Sequence, residues 1–497
     1  MQGAELLPGK NLIAAGLAVL AGLLLPLSLA PFDFWWSGLI SVFLLLALLQ
    51  GASFHQALLR WYLFGIGQFL LGASWVFVSI NTHGGASVLV AAGLTGAFIA
   101  AISLVTLAQG YVYQRFFSHL QLLWIPAFAA LWFFKEWSTT WLLWAGFPWA
   151  LLGYGHIHSP FAGYAPLIGV LGVGFVVALC AALLFAAVTN LGRHRLVWLL
   201  SASGLTGSGL LLGLLNFTQP ISEPLKVSLV QGNVAQQTKW RRDMVEPIIR
   251  QYVGLTEAEW GRDLVVWPEA ALTLFADSAG SVLQPLDVRG DYSGTALLLG
   301  LPRRQDGTYY NSALVTGDGE GIYIKRHLVP FGEYVPLENW LRGAIEFFDL
   351  PMSHNQPGPD DQPLLRVKNF KLALSICYEI AFPALVRQDA REAAVLATIS
   401  NDTWFGQSLG PHQHMQMAQM RALENQRFLV RATNNGITAV VDAKGQITGR
   451  LPQFESGVLR GTVVPLDGLT PYTRLGDWPL LVGLALLLAG LSRLRSD

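Results

Sequence analysis

The chain has 497 residues, of which 53% are hydrophobic and only 13% charged, and its formal net charge is zero. A soluble globular protein carries about 25% charged residues, so the composition points to a membrane protein, and zero net charge gives no sign of nucleic-acid binding. The two cysteines, Cys180 and Cys377, fall in segments of different character, and no disulfide framework is expected.

Charge is unevenly spread. Residues 1–216 hold nine of the 64 charged side chains, and the chain divides at that point. In chain order, seven apolar segments precede residue 217, at about 11–30, 35–51, 57–80, 86–110, 121–143, 161–190 and 196–216; an eighth follows at about 477–494. A bilayer core about 30 Å thick takes roughly 20 residues of apolar helix, so eight spans are expected. The first has a short basic start like a signal peptide, but six more follow it, and it is read as retained.

Basic residues are held on the cytoplasmic side of a membrane. With the N-terminus inside, the inner loops carry Lys10, Arg60, Arg115, Arg193 and Arg195, and Arg493 and Arg495 follow the last span. The outer loops near 31–34, 81–85 and 144–160 contain no lysine or arginine. Both termini are then cytoplasmic, and residues 217–475 lie on the outer face. Lys135-Glu136, near the outer end of the fifth span, reads as a neutralised ion pair. The loop "WAGFPWALLGYGHIHSP" is rich in aromatic residues that favour the bilayer interface. Its His156 and His158 lack a third metal ligand, and Cys180, in mid-span, reads as packing.

After Pro224 the texture changes. "KVSLVQGNV", "DLVVWPEAAL", "TALLLGLPR", "NSALVTG", "KLALSICYE" and "AAVLATISND" are short apolar runs bounded by turn residues, as expected of strands buried on both faces. Residues 242–260 and 412–427 have helical character, and 436–451 reads as a hairpin turning at Lys444-Gly445. The expected domains are a helical membrane part (1–216), a layered α/β domain (217–475) and a closing helix with a cytoplasmic tail (476–497).

Three polar residues stand at strand ends, where a rigid sheet can present side chains to a cleft. Glu269 follows "VVWP", Lys325 follows "GIYI" and Cys377 follows "ALSI". Singly they read as a helix cap, a solvated edge lysine and a core residue. As a set they supply a carboxylate base, a cation and a nucleophile. A free thiol with a pKa near 8.5 is mostly protonated at neutral pH and needs such a base, and an ammonium can stabilise a tetrahedral oxyanion.

"VVWPEAAL", "YIKRHLVPFGEYVP" and "SICYEIAFP" resemble the three signature stretches of the nitrilase, or carbon–nitrogen hydrolase, superfamily. With seven spans before the domain and one after it, the whole chain more narrowly resembles the apolipoprotein N-acyltransferase family of bacterial inner membranes. The resemblance implies an α-β-β-α sandwich with Glu269 as general base, Lys325 as oxyanion stabiliser and Cys377 as nucleophile. It matches Glu333 to an additional essential glutamate, Tyr378 and Glu379 to the pair that shapes the nucleophile's pocket, and Trp240 to a tryptophan that engages substrate. It implies ping-pong transfer of an acyl chain from a phospholipid, typically phosphatidylethanolamine, to the amine of a diacylglyceryl-cysteine at a lipoprotein's N-terminus. No cofactor or metal is implied, and a monomer in the inner membrane with a periplasmic catalytic domain is expected.

Two further stretches are read with this chemistry. Residues 337–352, with Trp340, Phe347 and Phe348, are expected to form an amphipathic cover, and Trp404 and Phe405 in "NDTWFG" to line an acyl pocket. "HQH" (412–414) reads as the start of a surface helix rather than a metal site. The alternative to acyl transfer is a membrane-tethered amidase or nitrilase that resolves its thioester with water. A channel or transporter is disfavoured, because ionisable groups are nearly absent within the spans.

Overall fold

The computed structural model describes residues 8–142, 146–189, 194–335 and 354–494. They form two compact units, one of Met1–Phe77, Ser87–Leu215 and Leu475–Asp497, the other of Val78–Ala86 and Asn216–Arg474.

The first unit is helical: α1 (Pro8–Leu24), α2 (Trp35–Leu49), α3 (Phe54–Gly72), α4 (Val88–Phe116), α5 (Trp124–Thr139), α6 (Ala165–Thr189), α7 (His194–Leu212) and a C-terminal helix, Trp478–Arg493. Every apolar segment read from the sequence overlaps one of these helices. Among the described residues four helical stretches are long and apolar enough to cross a membrane, and a fifth is α3 with Trp75–His83, bent by 53°. α2, α5 and the C-terminal helix have 15, 16 and 16 residues, about 24 Å at most and short of a 30 Å hydrocarbon core. Leu196, Val197, Leu200 and Leu211 of α7 are all exposed. Such a helix face is costly in water and at ease in lipid.

α1 and α3 meet through two glycines. A Cβ on Gly22 would lie 2.1 Å from the Phe64 carbonyl oxygen, and one on Gly67 would lie 2.1 Å from that of Val19. Small residues permit this backbone approach between helices. Gly67→Ala must therefore push the pair apart, and should cost about 1–3 kcal/mol of stability, read as a lower melting temperature in detergent. The Lys135-Glu136 pair is buried. Glu136 Oε1 accepts from Trp132 Nε1 and from the Leu152 amide, each at 2.9 Å, and Lys135 Nζ stands 3.9 Å from the same oxygen. The pair ties α5 to the segment that follows it.

The second unit carries a twelve-stranded sheet. Its strands are β1 (Leu225–Gln231), β2 (Leu264–Val266), β3 (Ala296–Gln305), β4 (Thr308–Gly317), β5 (Gly319–Ile324), β6 (Leu365–Val367), β7 (Phe370–Ile376), β8 (Val395–Ser400), β9 (Leu429–Thr433), β10 (Ala439–Val441), β11 (Ile447–Arg450) and β12 (Gly457–Val463). The order is β11-β10-β9-β8-β7-β6-β5-β4-β3-β2-β1-β12. β1, β2 and β3 are parallel, as are β7, β8 and β9; the short β5–β6 ladder joins the halves.

Residue alternation decides how the halves pack. Val227, Leu229, Leu264 and Val266 share one core with Leu372, Leu374, Val395 and Ala397 from the other half. Their neighbours Val230, Val265 and Leu297 face outward, against Ile248 and Tyr252 of α8 (Val245–Thr256) and Leu286 of α9 (Gly280–Ser293). α10 (Pro383–Ala390) and α11 (Gly410–Asn425) lie against β7 and β9. Two sheet layers thus face one another with helices outside. The hairpin at Lys444-Gly445 is present, with Gly445 at φ 76°.

"HQH" departs from its expected place. It opens α11, where His414 is 1% exposed and the helix is buried along nearly its whole length. Periodicity fails there because both flanks of the helix are covered, leaving no polar face to read. The expected cover at 337–352 lies outside the described residues.

Candidate active site

Three strand ends build the site. Glu269 lies three residues beyond β2, Lys325 directly follows β5, and Cys377 directly follows β7. All three are buried.

Lys325 Nζ lies 2.8 Å from Glu333 Oε2 and 3.5 Å from Glu269 Oε1. Burial alone would discharge this lysine. Glu333 and then Glu269 outweigh that penalty and hold its pKa above the ordinary value. Asn311, on β4, bridges the carboxylates, donating from Nδ2 to Glu269 Oε1 at 2.7 Å and to Glu333 Oε1 at 2.9 Å. Glu269 Oε2 accepts from the Asn401 amide at 2.8 Å. With its lone pairs so directed, Glu269 is held in one orientation.

Cys377 reaches this cluster through register. Ile376 pairs with Ile399, so the strand end bearing Cys377 stands beside Ser400 and Asn401. Burial and the nearby Glu269 charge push the thiol pKa up, against Lys325, which lowers it. At neutral pH the sulfur carries its proton. Any chemistry at this sulfur therefore starts from the thiol rather than from a standing thiolate.

The backbone bends sharply at Cys377 and beside Glu269. Cys377 has φ 54°, and Ala270, just after Glu269, has φ 46°. Such conformations cost about 1–3 kcal/mol in a non-glycine residue and persist only where the surroundings impose them. At the second bend Gly300 makes room, since a Cβ there would lie 2.7 Å from the Ala270 nitrogen.

Glu379, fully buried, joins two of the three strand ends. It accepts from the Ile376 amide at 2.7 Å, the Arg326 amide at 2.7 Å, the His327 amide at 3.1 Å and Tyr323 Oη at 3.0 Å. Tyr378 packs edge-on against Phe382, with ring centroids 5.1 Å apart. Trp404 meets the His83 ring edge-on at 5.6 Å and Phe405 meets that of His414 at 5.7 Å. Trp240 is 37% exposed.

Two family models match the chain: Carbon-nitrogen hydrolase over residues 226–468 and Apolipoprotein N-acyltransferase N-terminal domain over residues 21–183. An apolipoprotein N-acyltransferase of Pseudomonas aeruginosa strain PAO1 is 44% identical over 492 residues, covering 96% of this chain and 95% of that protein. The Vibrio cholerae protein of the same name is 41% identical over 487 residues, covering 94% and 95%. The chain belongs to the apolipoprotein N-acyltransferase family. Among solved structures, a CN-hydrolase superfamily protein from Xanthomonas campestris, XC1258, aligns with 53% of this chain and 97% of its own, at 19% identity and a TM-score of 0.39.

In this member of the apolipoprotein N-acyltransferase family, sequence reading missed several residues of the cluster. Asn311 looked like any strand polar residue; its place in "YYNSALV", where the chain turns apolar, was the available signal. In "QQTKW", beside Trp240, Lys239 also reaches the cluster. Lys239 is 1% exposed and donates from Nζ to the Glu269 carbonyl oxygen at 3.2 Å. Burial lowers its pKa to about 8, against the pull of Glu269.

The consequence has a definite sign. Above pH 8 the folded chain gives up a proton that an unfolded lysine keeps to about pH 10.4, so Lys239 adds stability as pH rises across that window. Lys239→Met should remove this rise. Melting temperatures of the two proteins, followed across the alkaline range, would show the difference or its absence.

Proposed function

We propose that the chain transfers a fatty acyl group from a membrane phospholipid to the N-terminal amine of a diacylglyceryl-cysteine lipoprotein, through a thioester on Cys377. Family membership supports the reaction. The observation that carries the residue roles is the buried Lys325 ammonium between Glu269 and Glu333, at the strand ends shared with Cys377.

In the first half-reaction Cys377 Sγ bonds to the ester carbonyl carbon while Glu269 takes the thiol proton. Lys325 offsets the charge developing on the carbonyl oxygen, an interaction worth on the order of 3–4 kcal/mol in a dry site. The tetrahedral centre collapses by breaking the C–O bond, Glu269 returns the proton to the departing alkoxide, and a lysophospholipid leaves. In the second half-reaction the lipoprotein amine attacks the thioester carbon, its proton passes to Glu269 and on to the sulfur, and Cys377 is regenerated. Glu333 holds Lys325, and Tyr378 and Glu379 shape the turn that bears the nucleophile. Trp240, Trp404 and Phe405 engage the substrates.

Phosphatidylethanolamine is the proposed donor. Both substrates are bilayer-anchored, and withdrawing a chain into water costs about 0.8 kcal/mol per methylene. This favours an enzyme that works at the bilayer, and a monomer with eight spans in the inner membrane is proposed with it. Residues 217–475 would form the periplasmic catalytic domain, between spans in 1–216 and 476–497, with both termini in the cytoplasm.

The test is to incubate purified protein with phosphatidylethanolamine and a diacylglyceryl peptide. An intact-mass gain of one acyl chain on the protein, then N-acylated peptide, is expected. Free fatty acid with no acylated peptide would replace this reading with hydrolysis by water.

A further inference from the structure

Behind Cys377 lies a buried polar chain that the acyl-transfer steps do not use. His414, on α11, stands with Nε2 3.0 Å from the Cys377 carbonyl oxygen. Its Nδ1 is 3.0 Å from both Asp402 Oδ1 and Arg431 Nη2. Arg431 Nη2 donates to Asp402 Oδ2 at 2.7 Å, and Ser400 Oγ donates to Asp402 Oδ1 at 2.6 Å. His414, Asp402 and Arg431 are all at most 2% exposed. The Phe405 ring meets the imidazole edge-on.

Hydrogen-bond bookkeeping places one of the ring's hydrogens. A carbonyl oxygen only accepts, so Nε2 must carry hydrogen. Burial and then Arg431 lower the His414 pKa, against Asp402, and Nδ1 faces both the Asp402 carboxylate and the Arg431 guanidinium. Asp402 balances the guanidinium charge of Arg431. Burial would raise the Asp402 pKa, but Arg431 and His414 hold it far below the usual carboxylate range. The chain thus runs from Asp402 through Arg431 and His414 to the peptide joining Cys377 to Tyr378.

That peptide is where the backbone is bent into the left-handed region. A trans peptide is planar, with its N–H directed opposite to its C=O. Fixing the Cys377 carbonyl therefore also fixes the Tyr378 amide and the direction in which the sulfur leaves the backbone. We infer that His414 is a positioning residue: by holding the Cys377 carbonyl it keeps the nucleophile's bent backbone in the geometry that acylation requires. The inference rests on Cys377 being the nucleophile proposed above.

His414→Phe keeps a ring but offers no donor. Its acylation of Cys377 by phospholipid, followed by intact mass in a single turnover, should slow by roughly 10²-fold while the donor KM shifts less than about twofold, and His414→Gln, whose amide can donate to the carbonyl, should recover to within about tenfold of wild type. A folded Phe variant that keeps pace with wild type would overturn the inference, as would a Gln variant no faster than Phe. Should the Phe variant not fold, nitrogen NMR of histidine-labelled wild-type protein decides, with the His414 signal assigned by its loss in the Gln variant. It must show hydrogen on Nε2 at neutral pH; a neutral ring with its hydrogen on Nδ1 alone would overturn the proposal. A wild-type protein that takes no acyl chain would instead count against the proposed function, and the tautomer would still judge His414.

Discussion

Cys377→Ser is expected to fold like the wild type and to lose acyl transfer by at least about 10³-fold, with no acyl adduct in its intact mass. The size follows from the surroundings of the sulfur. Burial and Glu269 already push the thiol pKa up, so Glu269 works against an unfavourable proton transfer even with sulfur. A serine hydroxyl is far less acidic than a thiol and a weaker nucleophile. Glu269→Gln tests the same step from the other side. The amide can still accept the Asn401 N–H through its oxygen, which keeps the loop in place, but it cannot take a proton. Transfer should again fall to background while the melting temperature changes little. Acyl adducts that still form on Cys377→Ala would refute the assignment of the nucleophile.

These residues were legible because each sits at a boundary that sequence displays. An apolar run ending in a charged or sulfur-bearing side chain marks a strand end, and Glu269, Lys325 and Cys377 each follow such a run. The short apolar runs along 226–234 and 295–303 likewise foretold strands with two buried faces, and the structure divides those faces between a sheet-to-sheet core and a helix-to-sheet core. What stayed hidden depends on contacts between residues distant in the chain. Asn311 matters because β4 brings it between Glu269 and Glu333, 42 and 22 residues away. His414 looked like a surface residue because α11 is polar in composition, yet its polar groups are satisfied by buried partners such as Asp402 and Arg431. Composition reports how polar a segment is, not whether water or protein supplies the partners. Helix bounds are hidden for a related reason. An apolar run of 20 residues includes turn residues that close the helix early, as Gln50 does after α2.

Lys325→Met should cost both rate and stability, and the two losses have one source. The lysine stands between Glu269 and Glu333. Removing its charge deprives the oxyanion of its donor, an expected loss of about 10²–10³-fold in kcat. It also leaves two buried carboxylates, joined through Asn311, without a cation. Breaking a buried ion pair from one side typically costs about 3–5 kcal/mol. The folded-state pKa of Lys325 is raised, so its stabilisation is fully present below the ordinary lysine value of about 10.4 and is lost only as pH rises beyond it. The deficit of the variant should therefore be constant through neutral pH and shrink only in strongly alkaline solution. Lys325→Arg separates the two roles. It restores a cation between the carboxylates but presents a planar fork where a compact ammonium fitted, so stability should return further than turnover. If Lys325→Met acylates at the wild-type rate in single-turnover intact-mass measurements, the ammonium does not meet the developing oxyanion, and its place between the two glutamates is structural alone.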